Sequence, residues 1–443
     1  MKKMSLVTVG AVAAVLVALP LAVTVSARTS GPSQTDLVLI NGVIQLVERD
    51  YVHPVAAHEL TTNALKGMLS RLDPHSDYMD EAEFKESQSD IAGKFGGLGI
   101  EISEQGGFPK VISPIDGTPA ARAGLQPGDL IVAVDGESVQ DLALDKVVRI
   151  LRGKPGTSVK ITIARGDRQP FDVTITRSVI QVQTVKAKLH PDGIGYIRVT
   201  EFAEDSPRDT KKALEDLQRQ AGGNLKGLVL DLRNDPGGLL TSAVAIAGDF
   251  LKGGTVVTIK GRHTDDNQAY QAVAGGTVLP EAPMVVLING ASASASEIVA
   301  GALQDRKRAV IMGTQSFGKG SVQTIIPLAG HGALRLTTAL YYTPGGRSIQ
   351  GSGIAPDVVV EAPKDQQIAG IVLPRESSLR GAFRNPGRLN GKSAAPAASE
   401  KTNAQYSAPI KADLIGSDDD AQLKAALDYL ERGLGKATSE RKG

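Results

Sequence analysis

The sequence predicts an α/β fold with a β-rich insert and amphipathic helices on its N-terminal side. From about Gly193, strand-like apolar runs alternate with helical stretches, which is typical of a layered α/β domain. From about Phe95 to Ile163 the chain instead has short β-rich runs broken by Gly and Pro, with one predicted helix over Leu144–Leu151. A length of 443 residues allows two to four domains of about 100–200 residues each.

The N-terminus predicts export across a membrane. Met4–Ala27 contains no charge and follows Lys2 and Lys3, which is typical of a signal peptide or an N-terminal membrane anchor. The small residues Val25–Ala27 would suit a cleavage site, whereas the length of the run would also allow it to span a bilayer. Both alternatives stay open. Either one predicts a periplasmic protein, soluble or anchored to the inner membrane.

Two amphipathic helices are predicted after this segment. The first has apolar residues three and four positions apart, at Leu37, Ile40, Ile44, Val47 and Tyr51. The second has a similar set at Leu60, Leu65, Met68, Leu69 and Leu72. Short amphipathic helices seldom stand alone, so we expect this pair to cap a larger domain or to pair with a second copy of the chain.

Seven strands are predicted in the α/β region from their apolar patterns. They are Gly193–Val199, Leu228–Leu232, Val256–Ile259, Met284–Asn289, Ala309–Gly313, Val322–Pro327 and Leu334–Tyr342. A helix is predicted after the first strand, with Ser206 as its N-cap and Pro207 in its first turn. A flexible linker is predicted from about Asn385 to Lys411, followed by a tail helix over Leu423–Leu434 that docks on the core or on a partner.

Composition argues against several classes of function. The formal charge is +1 and only 4% of residues are aromatic, which disfavours a nucleic-acid binder. The absence of Cys excludes disulfides, thiolate metal sites and cysteine catalysis. The zinc-protease spacing also fails, because Thr62 stands where a second His should follow His58 and Glu59. We therefore expect neither a metal nor a cofactor.

Two motifs near Lys319 suggest chemistry that their surroundings do not support. Gly313–Gly320 matches a phosphate-binding loop except at its last position, where a hydroxyl residue should bind magnesium. A strand-like run follows this loop, whereas phosphate binding requires a helix there. Ser316 and Lys319 have the spacing of penicillin-recognising enzymes, but the S-D-N and K-T-G elements of those enzymes are missing.

A third motif, the serine cluster 292–296, begins a helix directly after a buried strand. Backbone N–H groups at such a helix start can stabilise an oxyanion, but Ser292, Ser294 and Ser296 can equally cap the helix. Lys319 is a candidate base, because burial would lower the pKa of its ammonium group. The amide oxygen of Gln323 would then orient the amine. These residues alone leave open a Ser–Lys dyad or a capped helix beside a solvated lysine.

Several blocks resemble the carboxy-terminal processing (tail-specific) serine peptidases, over roughly Asp36–Pro363. In chain order the blocks are L-D-P-H-S at 72–76, D-L-R-N-D-P-G-G-L-L at 231–240, S-A-S-A-S-E-I at 292–298, F-G-K-G-S-V-Q at 317–323, Y-Y-T-P-G-G-R-S-I-Q at 341–350 and G-I-A-P-D at 353–357. The resemblance implies that Ser294 is the nucleophile, that Lys319 is its base and that Gln323 assists.

The resemblance also implies an oxyanion hole beside Ser294. Its donors would be the amide of Ala295 and that of Gly237 or Gly238. The family usually has Asn before this Pro-Gly-Gly turn, where the chain has Asp235. An acidic group pointing inward at that position would slightly disfavour an oxyanion.

The β-rich insert resembles the PDZ domain that this family carries. Gly96–Ile100 resembles its carboxylate-binding loop and Pro127–Ile131 resembles an internal turn and strand. The resemblance implies a peptide-binding groove formed by Gly97, Leu98, Gly99, Ile100, Val147 and Leu151. Backbone N–H groups of the loop would hold a terminal carboxylate, and the peptide would add to the sheet as a strand.

We therefore expect an α/β (α+β) crotonase- or ClpP-like layered peptidase core with an inserted PDZ domain and N-terminal helices. The expected segments are a signal peptide or anchor at 1–30, a helical region at 35–92, the PDZ domain at 93–178, the Ser–Lys core at 179–364 and a linker with a tail helix at 365–443.

The expected function is that of an exported serine endopeptidase, which recognises protein C-termini through the PDZ domain and cleaves through an acyl-enzyme. The PDZ domain is expected to gate the active site. Expected partners are proteins with exposed apolar C-termini, an adaptor or regulatory protein and a second copy of the chain, bound through the N- and C-terminal helices. Membrane contact is expected only through the N-terminal segment. The alternative is a catalytically silent PDZ scaffold of the same fold.

Overall fold

The computed structural model describes residues 31–440 except for 116, 167, 274, 277, 280, 369–372, 387–409 and 412. The predicted signal peptide or anchor at 1–30 and most of the predicted linker thus lie outside the described residues. Within these ranges, no helix has the length and apolar character needed to cross a membrane. The chain divides into two compact units, residues 1–61 and 62–443.

The first unit contains α1 (Gln34–Asp50), which begins with a capping box. The Ser33 hydroxyl accepts the Asp36 amide at 3.2 Å, and the Asp36 carboxylate accepts the Ser33 amide at 2.9 Å. Two N–H groups at the helix start are thereby satisfied. The first predicted amphipathic helix is confirmed, and the second corresponds to α2 (Ala57–Leu69). The strand β1 (Asp77–Met79) and the helix α3 (Glu81–Ile91) follow within the second unit.

The β-rich insert forms two antiparallel sheets. Its elements are β2 (Lys94–Gly97), β3 (Ile100–Gln105), β4 (Phe108–Pro114), α4 (Pro119–Arg122), β5 (Leu130–Val134), β6 (Glu137–Ser138), α5 (Leu144–Leu151), β7 (Ser158–Ala164), β8 (Phe171–Thr176) and β9 (Ser178–Gln181). The larger sheet has the order β3-β4-β5-β7-β8 with β6 on β5, and β2 pairs with β9. The predicted helix over Leu144–Leu151 is confirmed as α5.

The remaining elements form the layered α/β region. They are β10 (Val185–Leu189), β11 (Ile194–Val199), α6 (Ser206–Gln220), β12 (Gly227–Asp231), α7 (Leu240–Gly248), β13 (Gly254–Gly261), β14 (Gln268–Ala272), β15 (Met284–Ile288), α8 (Ala295–Asp305), β16 (Val310–Gly313), β17 (Ser321–Pro327), β18 (Ala333–Tyr342), β19 (Val358–Val359) and α9 (Ala421–Glu440). All seven predicted strands are confirmed, with ends shifted by at most two residues.

Two sheets organise this region. The first has the order β10-β11-β12-β15-β16-β19 and is parallel except for β10. Every residue of β12 and β15 is buried, as expected when helices cover both faces of a parallel sheet. The second sheet is antiparallel, with the order β1-β18-β13-β14 and β17 on β18.

Helices cover the parallel sheet on its two faces. Leu228 and Leu230 of β12 point into one apolar core with α6, α7 and α8, while Val229 points into another with α9. Leu423 and Leu430 of α9 are buried there, so the predicted tail helix docks on the core.

The predicted N-cap of α6 was wrong by one residue. Asp205 occupies that position, and Ser206 is the first helical residue. The Ser206 hydroxyl instead donates to the Glu201 carbonyl at 2.8 Å and accepts the Ala203 amide at 2.9 Å. Its capping capacity is thus used by the preceding loop.

Candidate functional site

Ser294 lies in a sharp turn between β15 and α8. Its backbone has φ 54° and ψ −109°, and the residue is 8% exposed. A residue other than Gly in this region of backbone space costs about 1–3 kcal/mol and often marks a functional site. The sequence predicted a helix start directly after a buried strand at this position, but without a G-x-S-x-G motif it gave no indication of the backbone strain at Ser294.

The other two serines of the cluster hold the turn in place. The Ser292 hydroxyl donates to the Leu232 carbonyl at 2.7 Å and accepts the Asn289 amide at 2.9 Å. The Ser296 hydroxyl donates to the Asp235 carbonyl at 3.0 Å. By contrast, the Ser294 side chain lies beside the Tyr341 hydroxyl, whose pKa is raised to about 12 by burial. Tyr341 is therefore a neutral neighbour of Ser294 at physiological pH.

Glu297 connects the Ser294 turn to the loop that carries Lys319. This fully buried carboxylate accepts four hydrogen bonds, from the amides of Ser294, Gly318 and Lys319 and from the Ser316 hydroxyl. The main-chain nitrogens of Ser294 and Lys319 each lie 2.9 Å from the same carboxylate oxygen, Oε2. The two nitrogens are therefore separated by at most twice that distance. Burial raises the pKa of Glu297 to about 7, although all four donors oppose this shift.

Lys319 is partly buried between β16 and β17. Burial lowers the pKa of its ammonium group, the Glu376 carboxylate raises it and Arg335 lowers it further. In the described part of the chain, no carboxylate forms an ion pair with Lys319. This environment favours a neutral amine at a lower pH than for a solvated lysine.

Gln323 lies on β17 beside a polar network. Its Nε2 atom donates to the Ser321 hydroxyl at 3.0 Å and to the Thr337 hydroxyl at 3.2 Å. Thr337 in turn donates to Asp73 at 3.0 Å, and Asp73 also accepts the Ser76 hydroxyl. These bonds fix the orientation of the Gln323 amide.

A buried carboxylate near Lys319, that of Glu376, was not identified from the sequence. Glu376 is fully buried, and its carboxylate oxygens lie 2.8 and 3.1 Å from His75 Nε2. Gln350 donates to the same carboxylate at 2.9 Å. His75 belongs to a block that carried the family resemblance without a role, whereas Glu376 lies beyond all such blocks. No signal in the sequence pointed to Glu376.

The Pro-Gly-Gly turn packs directly against Ser294. A Cβ atom on Gly237 would lie 2.7 Å from the Ala293 carbonyl oxygen and 2.9 Å from the Ala295 nitrogen, so only Gly fits there. The Gly237 amide donates to Asp235 Oδ1 at 2.8 Å and is therefore occupied. Gly238 is exposed, and its amide, like that of Ala295 at the start of α8, has no acceptor among the described residues. The geometry thus favours Gly238 over Gly237 as an oxyanion donor.

A buried ionic cluster supports the strand that leads into this turn. Arg233 is fully buried and binds Asp231 through Nε at 2.9 Å and Asp420 through Nη1 at 2.9 Å. The next residue, Asn234, donates to the Ile410 carbonyl at 3.2 Å. The C-terminal segment therefore contacts the chain just before the Pro-Gly-Gly turn.

The two competing motifs do not form the sites that they suggested. Gly320 is followed by strand β17 rather than by a helix, so the loop lacks the helix N-terminus that phosphate binding requires. Ser316 is fully buried, donates to Glu297 and accepts the Ile354 amide at 2.7 Å. Within the described ranges, no three His, Asp or Glu side chains converge as metal ligands would.

In the β-rich insert, the predicted carboxylate loop leads into an edge strand. Gly99 has φ 79°, and a Cβ atom there would lie 2.3 Å from Thr118 Cβ. Gly97 pairs with Ser178 in the smaller sheet, Leu98 is buried, and Ile100 begins β3. Because β3 is last in its sheet order, one edge of this strand is available for another strand.

The predicted helix side of the groove is less open. Val147 and Leu151 of α5 are 0% and 5% exposed and belong to the apolar core of the insert. Ile150 on the same helix is 37% exposed. Contact of a bound peptide with Val147 and Leu151 stays a prediction.

Comparison with known families gives three matches in chain order. The Activating protease CtpB N-terminal domain matches residues 21–83, the PDZ domain matches residues 110–165 and Peptidase family S41 matches residues 193–360. The last match covers the five parallel strands of the first sheet together with Ser294, Lys319 and Gln323.

Individual proteins are also similar to this chain over most of its length. The chain is 49% identical over 348 residues to a carboxy-terminal-processing protease of Bartonella bacilliformis. This alignment covers 78% of this chain and 80% of that protein. It is 36% identical over 365 residues to a probable CtpA-like serine protease of Staphylococcus aureus. This alignment covers 80% of this chain and 71% of that protein. A solved photosystem II D1 C-terminal processing protease is 30% identical and covers 73% and 92%, with a TM-score of 0.44.

Proposed function

The chain belongs to peptidase family S41 as a C-terminal processing serine peptidase with a PDZ domain, and on this basis we propose that Ser294 is its nucleophile and Lys319 its general base. The observation that carries the proposal is the shared contact to Glu297 Oε2, which brings the Ser294 turn and the Lys319 loop together. The lowered pKa of Lys319 supports the role of a base, because only the neutral amine can accept a proton.

The reaction proceeds in two stages. The neutral Lys319 amine takes the proton from the Ser294 hydroxyl as its oxygen attacks the substrate carbonyl carbon. The Ala295 and Gly238 amides stabilise the oxyanion, and the Lys319 ammonium then gives its proton to the departing amine. Lys319 next deprotonates a water molecule, which attacks the acyl-enzyme ester and releases the new C-terminus. The oriented Gln323 side chain keeps the lysine amine directed at Ser294.

We also propose that the PDZ domain binds the substrate C-terminus. The edge position of β3 supports strand addition, and the buried Gly99 turn supports a nest of N–H groups for the terminal carboxylate. We propose apolar C-termini as the substrate class, and we propose that their binding to the PDZ domain gates the active site. Export rests on the uncharged segment Met4–Ala27. Exposed apolar side chains on α1, such as Leu37 and Ile40, support pairing with a second copy.

The dyad is tested by proteolysis of an unstructured protein that ends in apolar residues. Wild type is expected to cleave it, and Ser294→Ala and Lys319→Ala are each expected to lose at least 100-fold in kcat/KM. Lys252→Ala, at an exposed lysine, is the matched control and is expected to cleave like wild type. Equal cleavage by all the variants would rule out the dyad, and cleavage by none, wild type included, would favour the silent PDZ scaffold.

A further inference from the structure

Asp235 places a carboxyl group inside the turn that faces the nucleophile. The residue is 0% exposed, and its Oδ1 atom accepts the Gly237 amide at 2.8 Å. Its main-chain carbonyl accepts the Ala293 amide at 3.0 Å and the Ser296 hydroxyl at 3.0 Å. Asp235 therefore connects the Pro-Gly-Gly turn to the Ser294 turn through both its side chain and its main chain.

The second carboxyl oxygen of Asp235 distinguishes it from the other buried carboxylate at the site. Oδ2 is buried and has no hydrogen-bond partner among the described residues. Glu297, by contrast, accepts four hydrogen bonds. A buried carboxylate needs several donors to remain ionised, because burial penalises the charged form. With one amide as its donor, Asp235 lacks the environment of a stable anion.

The surrounding charges do not compensate for this burial. Burial raises the pKa of Asp235 well above its ordinary value, and the bond from the Gly237 amide lowers it only in part. The Ser296 hydroxyl also lowers this pKa, although it donates to the main-chain carbonyl of Asp235 and not to its carboxyl group. Among the charged groups near Asp235, Glu201 raises the pKa further and Arg198 lowers it. The pKa of Glu201 is itself raised by burial, which weakens its effect as a charge.

We propose that Asp235 acts as a neutral carboxylic acid that accepts a hydrogen bond from the Gly237 amide. The Gly238 amide is then the one amide of the two glycines that is available to bind the oxyanion. In this form the side chain has the shape and the acceptor oxygen of an amide, and it places no negative charge beside the developing oxyanion. Asp235 is thus a positioning residue, and its ionisation as the pH rises through its raised pKa opposes catalysis. The catalytic part of this inference rests on the proposed function of Ser294.

The protonation state is tested by protein stability, which does not depend on activity. In wild type, the unfolded chain releases the Asp235 proton above about pH 4 while the folded chain keeps it, so rising pH weakens folding. Relative to the isosteric D235N variant, the wild-type folding constant is expected to fall about tenfold per pH unit above that point, until the pH reaches the pKa of Asp235 in the folded chain. Urea unfolding of both proteins between pH 5 and pH 8 measures this ratio.

A matched control and a contradicting outcome define this test. Asp216 is partly exposed, and its bond to Lys212 lowers its pKa. Because Asp216 is then ionised in both the folded and the unfolded chain above pH 5, the ratio between wild type and D216N is expected to stay constant from pH 5 to pH 8. A ratio between wild type and D235N that stays constant from pH 5 to pH 8 would overturn the neutral form of Asp235.

The catalytic consequence is read from the pH profile of kcat. D235N cannot ionise, so its rate is expected to persist to higher pH than that of wild type, whereas D235A frees the Gly237 amide and is expected to lower kcat about 10- to 100-fold. Identical alkaline limbs in wild type and D235N would overturn the positioning role. If wild type does not cleave at all, the proposed function fails, and the unfolding ratio still decides the protonation state.

Discussion

The peptidase core and the PDZ domain use their buried interiors differently. Around Ser294, the fully buried residues include Arg233, Asp235 and Glu297. The PDZ core is almost entirely aliphatic, and its buried acid, Asp129, pairs with Arg165 at 2.6 Å near the surface. We therefore expect catalysis to depend on buried polar groups held by converging bonds, and peptide binding to depend on an open strand edge. Substitutions of single polar groups should therefore affect the core far more than the PDZ domain.

The largest effect is expected at the buried ion pair of the C-terminal segment. Asp420→Ala leaves Arg233 buried with fewer acceptors and should destabilise the core by about 3–5 kcal/mol. Asp418 in the same segment is the matched control, because its bond to Lys188 is exposed, and Asp418→Ala should leave stability unchanged. Urea denaturation measures both variants. Equal stability of the two would contradict the contrast between buried and exposed charge.

The next largest effect is expected at Glu297. Glu297→Gln replaces one acceptor oxygen with an NH2 group that faces the amides of Ser294 and Lys319 or that of Gly318. Because hydrogen bonds are lost and two N–H donors then face each other, the free energy of unfolding should decrease by about 1–3 kcal/mol. The decrease in kcat should be larger than the change in KM. Ser316→Ala removes a single donor to the same carboxylate and should have a smaller effect on kcat. A larger loss in Ser316→Ala would show that Glu297 does not connect the two loops.

A third prediction concerns the acid limb of the pH profile. The Glu376 charge raises the pKa of Lys319, so Glu376→Gln should lower that pKa and let kcat/KM reach its plateau at a lower pH. Arg335 has the opposite influence, and Arg335→Gln should move the limb to higher pH. The two variants are controls for each other. Shifts in the same direction would contradict the assignment of this limb to Lys319.

The smallest effect on catalysis is expected in the PDZ domain. Gly99→Ala forces a Cβ atom onto Thr118, which should distort the carboxylate loop and weaken peptide binding by at least tenfold. Gly106 also has a positive φ but has open space around it, so Gly106→Ala isolates the clash from the backbone strain. Fluorescence anisotropy with a labelled C-terminal peptide measures binding. Equal peptide affinity of the two variants would show that this loop does not form part of the peptide-binding groove.

Local patterns in the sequence predicted the secondary structure better than they predicted the polar network. The strands and α5 follow from apolar periodicity, which each segment carries within itself. The roles of Glu297, Glu376 and Asp420 arise from contacts between distant segments, for which periodicity gives no signal. The displaced N-cap at Ser206 has a similar cause, because the preceding loop competes for its hydroxyl.

Activation of Ser294 by Lys319 is tested most directly by covalent labelling with a serine-reactive fluorophosphonate, followed by mass spectrometry. The predicted result is one adduct on Ser294 in wild type, at a rate that Lys319→Ala lowers by at least 100-fold and Lys252→Ala leaves unchanged. Labelling of another serine, or an equal rate of labelling in Lys319→Ala, would contradict the Ser–Lys dyad.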